Sequence, residues 1–285
     1  MPKLSRAELS RLYRAAIEEY NASPLAALRG WTTAPSDNKL REIEEIYARL
    51  PHKDAVFLDV GTGQGIPPRF FKKLGYRVVA VDNPNAYSQA TLENAALAGI
   101  EAFPCDIVSE KLPLADETVA CILCADVIEH QLHSPKFALQ EFARVLKPGG
   151  VCIVTTPNAV RLSVRIRVVL GISNWPHLRQ FFNAPYHKGH HHEYTEAELR
   201  FAFRASGFEI AKFRFEGTVT TVDVETLDEL QPQPRRGRGR THPLVRLAKI
   251  PVAVLERLVP RFRPVMFLVA RKPAEARSGS VAAVH

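Results

Sequence analysis

The chain has 285 residues, 46% hydrophobic and 24% charged, which excludes a wholly disordered polymer and suits one large domain or two small ones. Four cysteines exclude a disulfide scaffold, and no apolar run of about 18 residues lacks a charge or proline, so no membrane span is predicted. The net charge of +8 is concentrated in residues 231–285, which hold 12 Lys and Arg against 2 Asp and Glu.

In chain order, Ser5 and Glu8 form a capping-box pattern ahead of Leu9, Leu12 and Ala16, which predicts a helix. The start carries acidic residues and no apolar core, so it reads as neither a secretory signal nor a transit peptide. With the cysteine usage, this gives a cytoplasmic address as the expectation. A loop is expected over 21–37, then a helix from about Ser36 through Leu40, Ile43 and Ile46 to Leu50, stopped by Pro51. Strands are predicted over 55–60, 76–81, 100–103, 118–125 and 151–156, with helices over 67–74, 86–98 and 136–146 between them. Strands alternating with helices imply a parallel sheet covered on both faces, hence an α/β Rossmann-like fold. A helix over 195–206 closes at Gly207, and strands follow over 208–215 and 265–270. The segment QPQPRRGRGR (231–240) and the residues after Lys272 read as mobile.

The strongest motif is VFLDVGTGQG, which places Asp59 at a strand end before Gly61, Thr62, Gly63 and Gly65. Glycines at such a strand end permit a tight turn and close approach of a ligand. The spacing is G-x-G-x-G, so the dinucleotide pattern G-x-G-x-x-G is not met. Asp59 beside the loop disfavours a pyrophosphate and suits a cationic or amine-bearing ligand. Asp82 ends the second strand, where a carboxylate can accept from a ribose diol. Asp106 and Ile107 follow the third strand, placed to read an adenine edge. Asp126, Glu129 and His130 cluster after the fourth.

These segments, with EFARVLKPGGVCIVTTPN and HHHEYTEAELRFAFRASGF, resemble class I S-adenosylmethionine-dependent methyltransferases. The group includes the ubiquinone-pathway O-methyltransferases. The resemblance implies a seven-stranded sheet of order 3-2-1-4-5-7-6, its last strand antiparallel. By the same resemblance, the stretch Asp59 to Gly65 cradles the methionine part of S-adenosylmethionine, Asp82 holds the ribose, and Asn83, Asp106 and Ile107 lie at the adenine. A hydroxyl acceptor needs proton removal, for which His130 is the candidate base beside Asp126. The Asp126-x-x-Glu129-His130 element also resembles metal-dependent members, including small-RNA 2′-O-methyltransferases, in which a further histidine matches His190. That resemblance implies Mg²⁺ or Mn²⁺ on Glu129, His130 and His190, although Asp126 stands where the RNA enzymes have a longer glutamate. Cys121 and Cys124, three apart on a strand, point to opposite faces and should only pack.

The expected layout is a helical lid (1–50), a cofactor core (51–216), a basic insertion (217–263), a final strand (264–272) and a disordered tail (273–285). Arg161, Arg165 and Arg167 sit among apolar residues, with Trp175 beyond. In the basic insertion Leu244, Leu247, Leu255 and Leu258 alternate with Arg246, Lys249, Arg257 and Arg261, and Pro251 interrupts any helix. Such stretches suit an anionic membrane interface or a lipid-linked acceptor. The expected reaction is methylation, at oxygen, of a small-molecule or lipid- or glycan-linked acceptor. Two rivals remain at this point: an RNA 2′-O-methyltransferase and a non-catalytic membrane-associated binding protein.

Overall fold

Apolar strands that are buried on both sides need helices on both sides, and the chain supplies them in alternation. A computed structural model describes residues 4–30, 32–50, 52–84, 86–171, 189–217 and 252–274. The strands are β1 (Val56–Val60), β2 (Arg77–Asp82), β3 (Glu101–Pro104), β4 (Val119–Ala125), β5 (Leu146–Pro157), β6 (Glu209–Glu216) and β7 (Val265–Arg271). They form one seven-stranded sheet of order β3-β2-β1-β4-β5-β7-β6. β1 to β5 pair in parallel, and β7 runs antiparallel to both β5 and β6, as the family resemblance implies.

The helices among the described residues are α1 (Arg6–Asn21), α2 (Pro24–Arg29), α3 (Asp37–Tyr47), α4 (Ile66–Lys73), α5 (Ala86–Leu97), α6 (Lys136–Val145), α7 (Leu162–Val169) and α8 (Glu196–Ala205), with a further helical stretch over 252–258. On one face of the sheet, Tyr13, Tyr20, Ile43, Phe70 and Phe71 from the first helices bury against Phe57, Leu123 and Ile153. On the other, Phe142 of α6 and Phe203 of α8 bury against Leu58, Ile122 and Val154. The alternation divides the cysteines as expected: Cys121 belongs to the first core and Cys124 to the second. Burial pushes the Cys121 thiol up to about 12 and Cys124 well above its ordinary value, so both are inert packing groups.

Two expectations are corrected. The segment expected as a loop over 21–37 contains α2. Ser23 caps it by accepting from the Ala26 N–H at 3.3 Å, Pro24 takes the first turn, and Gly30 ends it in a left-handed conformation. Proline here starts a helix rather than breaking one. β5 begins at Leu146, not Val151, because Leu146 pairs with Val119 before a register shift that absorbs the LKPGG turn. Trp175, the 231–240 segment, Leu244, Arg246, Leu247, Lys249, Pro251 and the tail from 275 lie outside the described residues.

Candidate active site

Every parallel strand delivers its C-terminal end to the same edge of the sheet, where polar groups converge. The Gly61 N–H donates to Val81 O at 2.8 Å, which fixes the start of the glycine loop. Gly61, Gly63 and Gly65 all have left-handed backbones, with φ of 69°, 49° and 66°. Their surroundings differ. A Cβ on Gly61 would lie 2.3 Å from Val127 Cγ2, and one on Gly65 would lie 2.7 Å from Arg69 Nη1. A Cβ on Gly63 would meet nothing nearer than Gly61 O at 3.8 Å.

Asp59 is buried, accepts from Thr62 Oγ1 at 2.7 Å, and is pushed by burial up to about 7. Asp82 accepts from the Gly63 N–H at 3.4 Å and the Asn83 N–H at 2.8 Å, so the carboxylate is fastened to the loop. Asp106 is engaged locally. It accepts from the Val108 N–H at 3.4 Å and Ser109 Oγ at 2.8 Å, while its own N–H donates to Glu110 Oε2 at 2.7 Å. Ile107 beside it is buried.

A cavity of about 240 Å³ opens over this loop. Asp59, Gly61, Thr62, Gly63 and Gly65 line it, together with Tyr13, Ser36, Lys39 and Glu42 from the first helices. Asp82, Asn83, Asp106 and Ile107 are not among its walls. A larger groove of about 1040 Å³ is lined by α3, β6 and residues 258–263. It contains none of the expected site residues, and its charges pair with one another, as in Arg6–Glu44 at 3.1 Å and Arg200–Glu196 at 2.9 Å. The small cavity is therefore the candidate site.

Lys39 and Glu42 were not among the expected site residues. Lys39 Nζ donates to Glu42 Oε2 at 3.2 Å and reaches Asp126 Oδ2 at 3.5 Å. Burial opposes the Lys39 charge, yet Glu42 and Asp126 hold its pKa above the ordinary range. Glu42 is 2% exposed, and its burial pushes its pKa up against the opposing pull of Lys39. Asp126 itself has a left-handed backbone, φ 56°, held where its N–H donates to Thr155 O at 2.9 Å and its Oδ1 accepts from Thr155 Oγ1 at 3.3 Å. That strained conformation aims the end of β4 at α3.

The predicted metal ligands converge. One ligand atom from each of Glu129, His130 and His190 lies within 4.8 Å of the others. Glu129 is fully buried, accepts from Thr156 Oγ1 at 3.0 Å, and has no hydrogen-bond partner at Oε1 among the described residues. Burial, aided by Asp126, pushes it up to about 7. His130 Nδ1 faces Gly189 O at 3.2 Å, and His190 Nδ1 faces Glu193 Oε1 at 2.8 Å. A carbonyl opposite Nδ1 requires the proton there in His130, which leaves the lone pair on Nε2. Arg161, at 2.5 Å from Glu193, holds that carboxylate in turn. Glu193 and Arg161 are supporting residues that sequence reasoning missed. A buried carboxylate oxygen without a partner beside two oriented imidazoles fits a divalent cation.

Residues 35–212 match the methyltransferase domain family Methyltransf_23. The chain therefore belongs to the S-adenosylmethionine-dependent methyltransferases. It is 29% identical over 199 residues to a probable S-adenosylmethionine-dependent methyltransferase of Mycolicibacterium smegmatis, covering 67% of this chain and 68% of that one. It is 29% identical over 142 residues to the ubiquinone biosynthesis O-methyltransferase of Parvibaculum lavamentivorans, covering 50% and 53%. Among solved structures, a SAM-dependent methyltransferase from Archaeoglobus fulgidus shares the fold with a TM-score of 0.51 at 17% identity, covering 82% of this chain and 92% of that one. The chain thus spans about two thirds of the first relative and about half of the second. The cofactor fits the site: Gly63 leaves room where a side chain would stand, and carboxylates flank the loop.

Proposed function

We propose that the chain methylates an oxygen of a small-molecule or lipid-linked acceptor. The observation that carries this reading is the Glu129–His130–His190 cluster after the end of β4, with the neighbouring Asp126 in reach of Lys39 on the cavity wall. S-adenosylmethionine supplies an already activated methyl group, so the protein's work is alignment, desolvation and removal of the acceptor proton. The glycine loop and Asp59 hold the donor's amino-acid end, and Asp82 its ribose. His130, with its Nε2 lone pair, removes the acceptor proton, and Asp126 stabilises the positive charge that develops nearby. A divalent ion on Glu129, His130 and His190 would take up that Nε2 lone pair and instead make the acceptor hydroxyl more acidic, so His130 serves as the base only where no ion is bound. Two imidazoles and one carboxylate favour Mn²⁺ over Mg²⁺.

A lipid-linked acceptor is supported by one surface. α7 exposes Ile166, Val168 and Val169, with Leu170 just after it, and residues 252–259 expose Val254, Leu255, Leu258 and Val259. Asn158 joins the two segments by donating to Arg261 O and Arg263 O, both at 2.9 Å. Exposed Arg165, Arg257 and Arg261 flank the apolar residues, while the one acid there, Glu256, is buried. An apolar patch rimmed by arginine suits an anionic membrane.

The test is incubation of cell extract with purified protein and a methyl-labelled donor, followed by sorting of label into lipid, small-molecule, RNA and protein fractions. Label in lipid or small molecules that resists mild base as an ether is the expected result. Label confined to RNA or protein would overturn the acceptor assignment. Chelation should cut turnover at least tenfold, with Mn²⁺ restoring it. Full turnover in chelator would remove the ion and leave proton removal to His130 alone.

A further inference from the structure

We propose that Glu42 is a second carboxylate anchor for the α-ammonium group of the methyl donor, acting with Asp59 from the α3 side of the cofactor cavity. The proposal rests on the cofactor assignment and extends it to a residue outside the glycine loop.

Glu42 belongs to α3 and lines the same cavity as Asp59 and Gly63. Its Oε2 is satisfied by Lys39 at 3.2 Å, whereas its Oε1 is buried and has no hydrogen-bond partner among the described residues. A buried carboxylate oxygen left in this state costs free energy that water or a donor would restore. Moving the residue to solvent would relieve the cost, but α3 holds it inward: Leu40, Ile43 and Ile46 on the same helix are core residues.

The charge arithmetic points the same way. The cavity lining carries two carboxylates, Asp59 and Glu42, against one cation, Lys39, which is shared with Asp126. An incoming positive charge is therefore favoured. The donor has two, a sulfonium and an ammonium, and they differ in chemistry. The sulfonium has no N–H or O–H to donate, so it cannot satisfy Oε1. The ammonium has three donors, enough to serve Glu42 and Asp59 together. Burial raises the pKa of both carboxyls in the ligand-free chain, which is the electrostatic cost an ammonium would relieve.

The experiment compares wild type and Glu42→Gln for binding S-adenosylmethionine, S-adenosylhomocysteine and methylthioadenosine by calorimetry, with thermal melting of the ligand-free proteins. S-adenosylhomocysteine keeps the ammonium and lacks the sulfonium, and methylthioadenosine lacks both. The expected result is a roughly 10- to 100-fold loss of affinity for the first two and less than twofold change for the third. The ligand-free melting temperature should hold or rise, because a neutral amide replaces a buried carboxylate one of whose oxygens lacks a donor. Unchanged affinity for S-adenosylhomocysteine would overturn the proposal. So would equal losses for all three ligands, which would make Glu42 a support for the loop. If the Gln variant does not fold, Glu42→Asp, which retains the charge on a shorter arm, must show the same selective loss. Wild type that binds none of the three would remove the cofactor site itself, and the anchor with it.

Discussion

Gly61 and Gly63 share a left-handed backbone but differ in what a methyl group would meet. At Gly61 it would overlap Val127, a stiff β-branched side chain, at 2.3 Å. Gly61→Ala should therefore lose about 2–4 kcal/mol of stability, combining backbone strain with overpacking. Gly63→Ala carries only the strain, about 1–2 kcal/mol, and places its methyl in the cavity over the loop. Melting curves and calorimetry should separate the two: the first variant melts early, and the second binds weakly. A Gly61→Ala chain as stable as wild type would contradict the close contact with Val127. Asp59 adds a pH signature. Its carboxyl titrates at about 7 in the folded chain, against about 4 for an ordinary aspartate. Between these values the folded state holds a proton that the unfolded state has lost, so stability falls as pH rises through this window. The penalty is absent below about pH 4 and complete above about pH 7. Urea midpoints of ligand-free protein should show this fall, and Asp59→Asn should reduce it, leaving the part that Glu129, also raised to about 7, contributes.

At the scale of elements, Arg144 of α6 is a clamp. Its guanidinium donates to Leu114 O at 2.9 Å and Leu112 O at 3.1 Å, and pairs with Asp116 at 2.7 Å and Glu141 at 2.6 Å. Glu141, also buried, accepts the Leu112 N–H at 2.9 Å. One side chain thus ties α6 to the turn ahead of β4. Arg144→Met should cost about 2–4 kcal/mol in urea unfolding, because it strips a buried carboxylate and two carbonyls of their donor. Cofactor affinity of the folded variant should be unchanged. How much of this was legible in the sequence depends on the range of the contact. The Ser5–Glu8 capping box, the α3 stripe and the strand-end carboxylates Asp59 and Asp82 announce themselves within a few residues. The link from Lys39 to Asp126 spans 87 residues, and only an acid–base pair three apart on α3 hinted at it. Similarly, His130 and His190 stand out as residue types, whereas the Glu193–Arg161 support behind His190 exists only once α7 has packed beside the loop. The short helix α2 lies inside the segment expected as a loop, with Pro24 in its first turn.

At the scale of the whole molecule, the arginine-rimmed apolar face predicts association with anionic lipid. Flotation with vesicles of phosphatidylcholine alone, or with added phosphatidylglycerol, should recover the protein only in the second case. Recovery should fall as salt shortens the screening length to below about 8 Å. A double variant, Val169→Asp with Leu258→Asp, should stay at the bottom of the gradient. Flotation of that variant equal to wild type would dissociate lipid binding from this face.

β7 comes after all six of its sheet partners in the sequence, yet it lies between β5 and β6. Until it is synthesised, β5 presents an unpaired edge bearing Cys152, Ile153 and Val154, and β6 has no strand to pair with. The nascent chain therefore carries an adhesive edge for most of its emergence, and the sheet closes in one late step from both sides. Chains stopped before Val265 should self-associate through that edge, whereas chains extended beyond Lys272 should fold normally.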